Sequence, residues 1–302
     1  MSAPERGAKR LSDYKRWHHW QVATDDIDPV YPVYAELGRM WDLDQEDLVW
    51  LCICHVTYYH SGSALTLFDR YRGGLGTLPR TADGLGEKGL LTLPTATERR
   101  AHRDVRQLAK HILALQDALG DDPVGWLGAN GWGWEALNLR VMEVHGNGRW
   151  AAYKLAEMLQ KVAGVPTRAT DAGHKHSSGP RKGLNDLYED LPEGNTASDI
   201  RELDLTTSAL ASWLGEDDIA QVETSLCDFH SLLKGGYYLG HDIDAMQEQL
   251  LSPKVAPGKD VWEARRAVFP DGLRGEDNGW SGVRRELKRV YKTTGRLANV
   301  DD

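Results

Sequence analysis

The sequence has little cysteine. Three in 302 residues (Cys52, Cys54 and Cys227), with no C-x-x-C pair, cannot build a disulfide framework, a zinc finger or an iron–sulfur cluster. A reduced, cytoplasmic protein is expected. No apolar run nears the roughly 20 residues of a membrane span. The opening MSAPERGAKRLSDYKRWHHW carries charge but no apolar stretch, so no secretory signal is expected. Phenylalanine is scarce, three against 11 Trp, a skew that composition alone ties to no function. No segment alternates apolar and polar residues with β-branched side chains, which argues against a sheet. Positive charge is in deficit as well. Lys and Arg number 36 against 45 Asp and Glu, a net charge of −9 that argues against a generic nucleic-acid coat.

That deficit is uneven. Residues 186–223 hold eleven acids and a single base, Arg201, the pattern of a solvated face. The stretch from His174 to Lys182 holds Lys175, Arg181, Lys182 and two histidines without an acid. Residues 284–296 hold six bases and one acid, on a helix expected at about 283–294. An acidic chain can therefore still turn a basic face to phosphate.

What is present is mostly helix. Asp44 is placed to cap a helix over 45–59, apolar nearly all round and hence central. Residues 72–96 read as loop. A helix over 97–119 buries Val105, Leu108, Ala109, Ile112, Leu115 and Leu119, and leaves Arg99, Arg100, Arg103 and Arg106 largely outside that stripe. Helices over 134–144 and 149–162 flank Gly146-Asn147-Gly148, whose two glycines permit a sharp reversal with positive φ. Residues 173–183, with three Gly, one Pro and two Ser, read as loop. A helix follows at 217–234, and 252–282 is broken by proline and glycine. A Gly-x-Gly turn ahead of a helix N-terminus offers backbone N–H groups to a phosphate. The same turn also serves simply to reverse the chain.

The run from Val144 to Lys182 resembles the helix-hairpin-helix DNA glycosylase superfamily. Gly146-x-Gly148, the small Ala151-Ala152, one helix, Gly164-Val165-Pro166-Thr167 and then Asp171 follow in that family's order, and 171 − 148 = 23 residues is close to its spacing. The resemblance covers about residues 44–182. It implies a mostly α, glycosylase-like helical fold: a core at 44–185, an N-terminal segment 1–43 packed on it, and a helical region 186–302 completing a second lobe. There are departures. Where bifunctional glycosylases carry a lysine nucleophile, Trp150 stands here, or Ala151 if the register shifts by one. Strand-cleaving chemistry is therefore not expected. The four-cysteine cluster of one branch is absent.

Gly179-Pro180-Arg181-Lys182-Gly183-Leu184 and the opening WHHWQVATDDIDPVY at 17–31 look like a phage branch, the α-glutamyl/putrescinyl-thymine pyrophosphorylases or amino-acid:DNA transferases. This resemblance implies a phage-encoded enzyme of the host cytoplasm. It would flip a 5-(pyrophosphomethyl)pyrimidine out of DNA and let an amine, an amino acid or a polyamine, displace pyrophosphate. Asp171 is then the natural base for the amine. Lys175, Arg181 and Lys182, with His174 and His176, suit the leaving pyrophosphate, although DNA-backbone binding would use the same cations. Tyr58, Tyr59 and His60 stand where glycosylases line the base pocket, but also suit a core and a helix cap. Gly146, Asn147, Gly148 and Arg149 are the expected DNA contacts. His174-x-His176 and His18-His19 lack partners at zinc-ligand spacing, so no protein-held metal is expected; Mg²⁺ on the pyrophosphate would suit the chemistry. A monofunctional glycosylase and a non-catalytic DNA-binding module remain alternatives.

Overall fold

The computed structural model describes residues 10–255 and 257–270. The basic helix expected at 283–294 lies outside them. Fourteen α-helices occur among the described residues: α1 (Leu11–Ala23), α2 (Val30–Met40), α3 (Gln45–Tyr58), α4 (Ser61–Arg70), α5 (Ala82–Glu87), α6 (Val105–Leu119), α7 (Pro123–Gly128), α8 (Trp134–Met142), α9 (Arg149–Lys161), α10 (Gly179–Leu187), α11 (Ala197–Leu214), α12 (Ile219–Leu233), α13 (His241–Leu250) and α14 (Lys259–Val268). Short 3-10 turns stand at Leu75–Thr77, Leu90–Thr92 and Thr97–Arg103. No strand occurs among the described residues, so the protein is all-α there. No helix there is long and apolar enough to cross a membrane.

The chain forms two compact units, each assembled from stretches remote in sequence. One comprises residues 29–168 and 245–268. Its centre is α3, buried from Val49 to Tyr58 and packed on α4, α7 and α9. Asp44 caps α3 as expected, its carboxylate accepting from Asp47 N at 2.9 Å. The other unit comprises 10–28, 169–244 and 269–270. There α12 packs on α1, α10 and α11 around Tyr14, Trp17, Leu187, Leu203, Leu226 and Phe229.

Three local expectations need correction. Residues 97–119 are not one helix. The stretch 97–103 is 3-10, Arg99 sits off helical geometry (φ −99°, ψ 44°), and Asp104 starts α6 by accepting from Arg106 N at 2.8 Å. Val105 is consequently half exposed rather than part of the buried stripe. The expected loop at 72–96 contains α5, while α14 lies within the broken stretch 252–282. The expected loop at 173–183 ends early, because Gly179 and Pro180 open α10. Proline lacks the N–H that a first helical turn leaves unpaired, so it starts a helix there. Gly179 and Gly183 are small for a packing reason. An added Cβ would lie 2.3 Å from Cys227 Sγ at the first and 2.1 Å from Leu226 O at the second.

The acidic stretch is not merely solvated. Asp199 completes a capping box with Thr196 on α11, Asp218 caps α12, and Asp186 pairs with His230 at 2.6 Å.

Candidate active site

The residues singled out from sequence fall into two sets, one in each unit. In the α3-centred unit, Gly146 takes φ +90°, while Gly148 is extended at φ −96°. Only one of the two glycines is therefore required by backbone conformation. The turn closes with Asn147 N donating to Val144 O at 3.1 Å, and Asn147 Nδ2 donates to Val141 O at 3.3 Å. Gly148 and Arg149 open α9. Gly146, Gly148, Trp150 and the stretch 97–102 line an open hollow of about 510 Å³ that also carries Arg100.

Beneath the turn lies a clamp that sequence reading missed. Arg99 is 5% exposed and donates to Gly146 O at 3.1 Å and to Asn147 Oδ1 at 3.2 Å. Its second amino group also meets His102 Nε2 at 3.1 Å and His111 Nε2 at 3.3 Å. The tautomers follow from the other side of each ring. His102 Nδ1 donates to Thr57 O and His111 Nδ1 to His145 O, both at 2.7 Å, so each Nε2 is a lone pair facing the guanidinium. Burial, with Arg99 adding to it, pushes His102 down to about 4 and His111 well below its ordinary value. Burial lowers Arg99 to about 10, which leaves it charged at neutral pH. No spacing marks these three as a set, because they converge from a 3-10 turn and a helix onto another segment's carbonyls.

Tyr58 lies in the core, fully buried, donating to Leu90 O at 3.0 Å; it offers no surface to a ligand. His60 caps α4, with Nδ1 accepting from Ser63 N at 3.2 Å, and burial lowers it to about 4. Tyr59 ends α3 in the left-handed region (φ 48°) and is half-buried. Its ring meets Trp150 edge-on at 4.5 Å and His55 at 5.2 Å. Of the three, it is the one beside the hairpin helix. Lys154, one turn beyond Trp150, is buried and ion-paired to Glu157 at 2.9 Å.

In the second unit Asp171 is half-buried, and its Oδ1 accepts from Gly173 N at 2.8 Å, which shapes the loop to α10. His174 is buried, with Nε2 2.7 Å from Thr207 Oγ1. That hydroxyl donates to Leu203 O, so His174 Nε2 is the donor and Nδ1 carries a lone pair with no partner. Burial, then Arg181, lowers His174 to about 4, so it brings no positive charge at neutral pH. Lys175, His176 and Lys182 are exposed, and half-buried Arg181 donates to Gly194 O.

One turn before Thr207 on α11 stands Asp204, a second carboxylate missed from sequence. Burial first and the charge of Asp171 second raise it to about 6. Its Oδ1 is buried without a hydrogen-bond partner. Asp204 and Lys175 line a hollow of about 490 Å³. A carboxylate raised toward neutrality by burial and a neighbouring charge, as Asp204 is, can take up and hold a proton. Among the described residues no group of three or more His, Cys, Asp or Glu could hold a metal ion.

Comparison with known proteins gives the family of the chain. A glycinyltransferase of Pseudomonas phage PaMx11 is 26% identical over 276 residues, which cover 82% of this chain and 91% of the relative. The family described as amino acid:DNA transferase matches residues 22–238, a span that includes the hairpin, its Arg99 clamp, Asp171 and Asp204. The chain belongs to the amino acid:DNA transferase family and is a DNA-modifying transferase.

Proposed function

We propose that this phage-type enzyme joins the amine of an amino acid, glycine in the first instance, to a 5-(pyrophosphomethyl)pyrimidine in DNA. The observation that carries the reading is Asp171 beside Asp204, in a loop followed by three cationic side chains, within the matched span. The glycinyl activity named for the phage relative points to glycine.

In this reading the flipped base presents its exocyclic methylene to the amine. A carboxylate of the Asp171–Asp204 pair takes a proton from the ammonium. The freed nitrogen lone pair forms the C–N bond as the C–O bond to pyrophosphate breaks, and pyrophosphate leaves with that electron pair. Lys175, Arg181 and Lys182 offset its developing charge. Neutral His174 holds the loop on α11 rather than meeting the anion. Gly146, Asn147, Gly148 and Arg149 take a backbone phosphate at the start of α9, with Arg100 beside them. Tyr59 and Trp150 offer aromatic surface to nucleobases of the DNA that the turn holds. Trp150 in place of a nucleophilic lysine means that the sugar is not attacked.

The test is Asp171→Asn with pyrophosphorylated DNA and glycine. Wild type is expected to yield a heavier nucleoside still joined to its sugar, with pyrophosphate released in equal amount. Asp171→Asn should bind DNA as wild type does and form no such nucleoside. Free base or abasic sites would overturn the reading in favour of glycosidic cleavage. Full activity of Asp171→Asn would remove this residue from the chemistry.

A further inference from the structure

The hollow on α11 has features that carry a more specific assignment, one that rests on the transferase reading and names a substrate subsite within it. Arg201, Asp204, Leu205 and Ser208 project into it from α11 at i, i+3, i+4 and i+7, the spacing of one helical face. Lys175 and Asn195 line it from outside that helix. Arg201 is the single base among eleven acids in residues 186–223. Among the described residues Arg201 has no ion-pair partner, and Asp204 Oδ1 is buried with nothing to bond. A buried carboxylate oxygen without a partner is unfavourable, and the exposed Arg201 guanidinium one turn away is open to a ligand. Both would be satisfied by a ligand carrying an ammonium and a carboxylate a few bonds apart.

We infer that this hollow is the subsite for the α-amino-acid co-substrate, with its ammonium on Asp204 and its carboxylate on the Arg201 fork. Guanidinium matches a carboxylate in a planar, two-bond geometry that an ammonium cannot copy. An ammonium on Asp204 is held near Asp171, whose charge acts on Asp204 and which is proposed to receive the proton. The arrangement also selects amino acids over simple alkylamines, because an alkylamine leaves Arg201 unused.

Binding is read first, on the full chain with and without unmodified DNA, by saturation-transfer NMR of glycine. Wild type is expected to give a glycine signal that Arg201→Gln loses and Arg201→Lys restores in part. Absence of a wild-type signal in both conditions overturns the subsite. Kinetics follow with pyrophosphorylated DNA. Arg201→Gln should raise the KM for glycine about tenfold, the loss of roughly one charge-assisted contact, and leave the KM for DNA unchanged. It should also erase the preference for glycine over methylamine. An unchanged glycine KM, or an equal rise in the inhibition constant of added pyrophosphate, overturns the assignment; the latter would show Arg201 serving the leaving group. Glycine binding without any transfer by wild type would instead remove the proposed reaction and leave the subsite standing.

Discussion

Gly146 and Gly148 look alike in sequence and are not alike in the structure. Gly146 sits at φ +90°, and a Cβ there would lie 2.9 Å from His111 Nδ1 and 3.1 Å from His102 Nε2. At Gly148, φ is ordinary and a Cβ would meet open space. Gly146→Ala is therefore expected to destabilise by at least about 1 kcal/mol, weakening DNA binding at every sequence and flattening its salt dependence. Gly148→Ala should change stability by less than about 1 kcal/mol. Thermal melts and DNA titrations at two salt concentrations check the pair, and equal effects would place both glycines in the same role. Asp204 supplies a second test at this scale. Its folded pKa of about 6 lies above the ordinary value, so its contribution to stability is present at low pH and is lost as pH rises through 6. Asp204→Asn should thus be more stable than wild type at pH 7.5 and no more stable at pH 4. Denaturant midpoints at the two values decide this.

At the scale of an element, the hairpin is held from below as well as by its own turn. Arg99 serves Gly146 O, Asn147 Oδ1 and two imidazole lone pairs at once. Arg99→Met leaves these acceptors buried without a donor, each worth about 1–3 kcal/mol, and the amides of 144–148 should exchange faster with solvent. Loss of the neighbouring positive charge should also let His102 titrate above its present value of about 4, which NMR of the ring protons would show. A His102 pKa unmoved in a folded variant would mean that the clamp is not electrostatic. The α10–α12 crossing depends on a different device, backbone approach at Gly183. Gly183→Ala brings a Cβ against Leu226 O and should destabilise by about 1–3 kcal/mol. A melt as high as wild type would show that α10 can move aside.

Across the whole molecule, burial sets the response to acid. His55 is lowered to about 3; His60, His102 and His174 to about 4; His111 lies well below its ordinary value. Each is neutral in the fold and would gain a proton on unfolding near 6.5. Stability is therefore expected to be full above about pH 6.5 and to fall as pH drops toward 4. Asp25, Asp47, Asp204 and Asp228, raised by burial, act in the opposite sense over part of that range, four groups against five. Denaturant midpoints at pH 7.5, 6.5, 5.5 and 4.5 should decline in that order. A constant midpoint would show that these histidines are solvated.

The sequence by itself determined the helical class, the Asp44 cap and its buried helix, the turn at 146–148, and the order of motifs that leads to Asp171. These are legible because they are local: a cap, a period of 3.6 and a glycine turn act within a few residues of chain. It also suggested Tyr58 as a pocket residue and an unbroken helix through Arg99, and tertiary structure placed them otherwise. The Arg99–His102–His111 clamp and the Asp204 carboxylate beside Asp171 were decided only by folding. Their chemistry comes from burial and from charges brought close by distant segments. A pKa pushed to about 6 or an arginine sealed under a carbonyl belongs to no stretch of sequence until those segments meet.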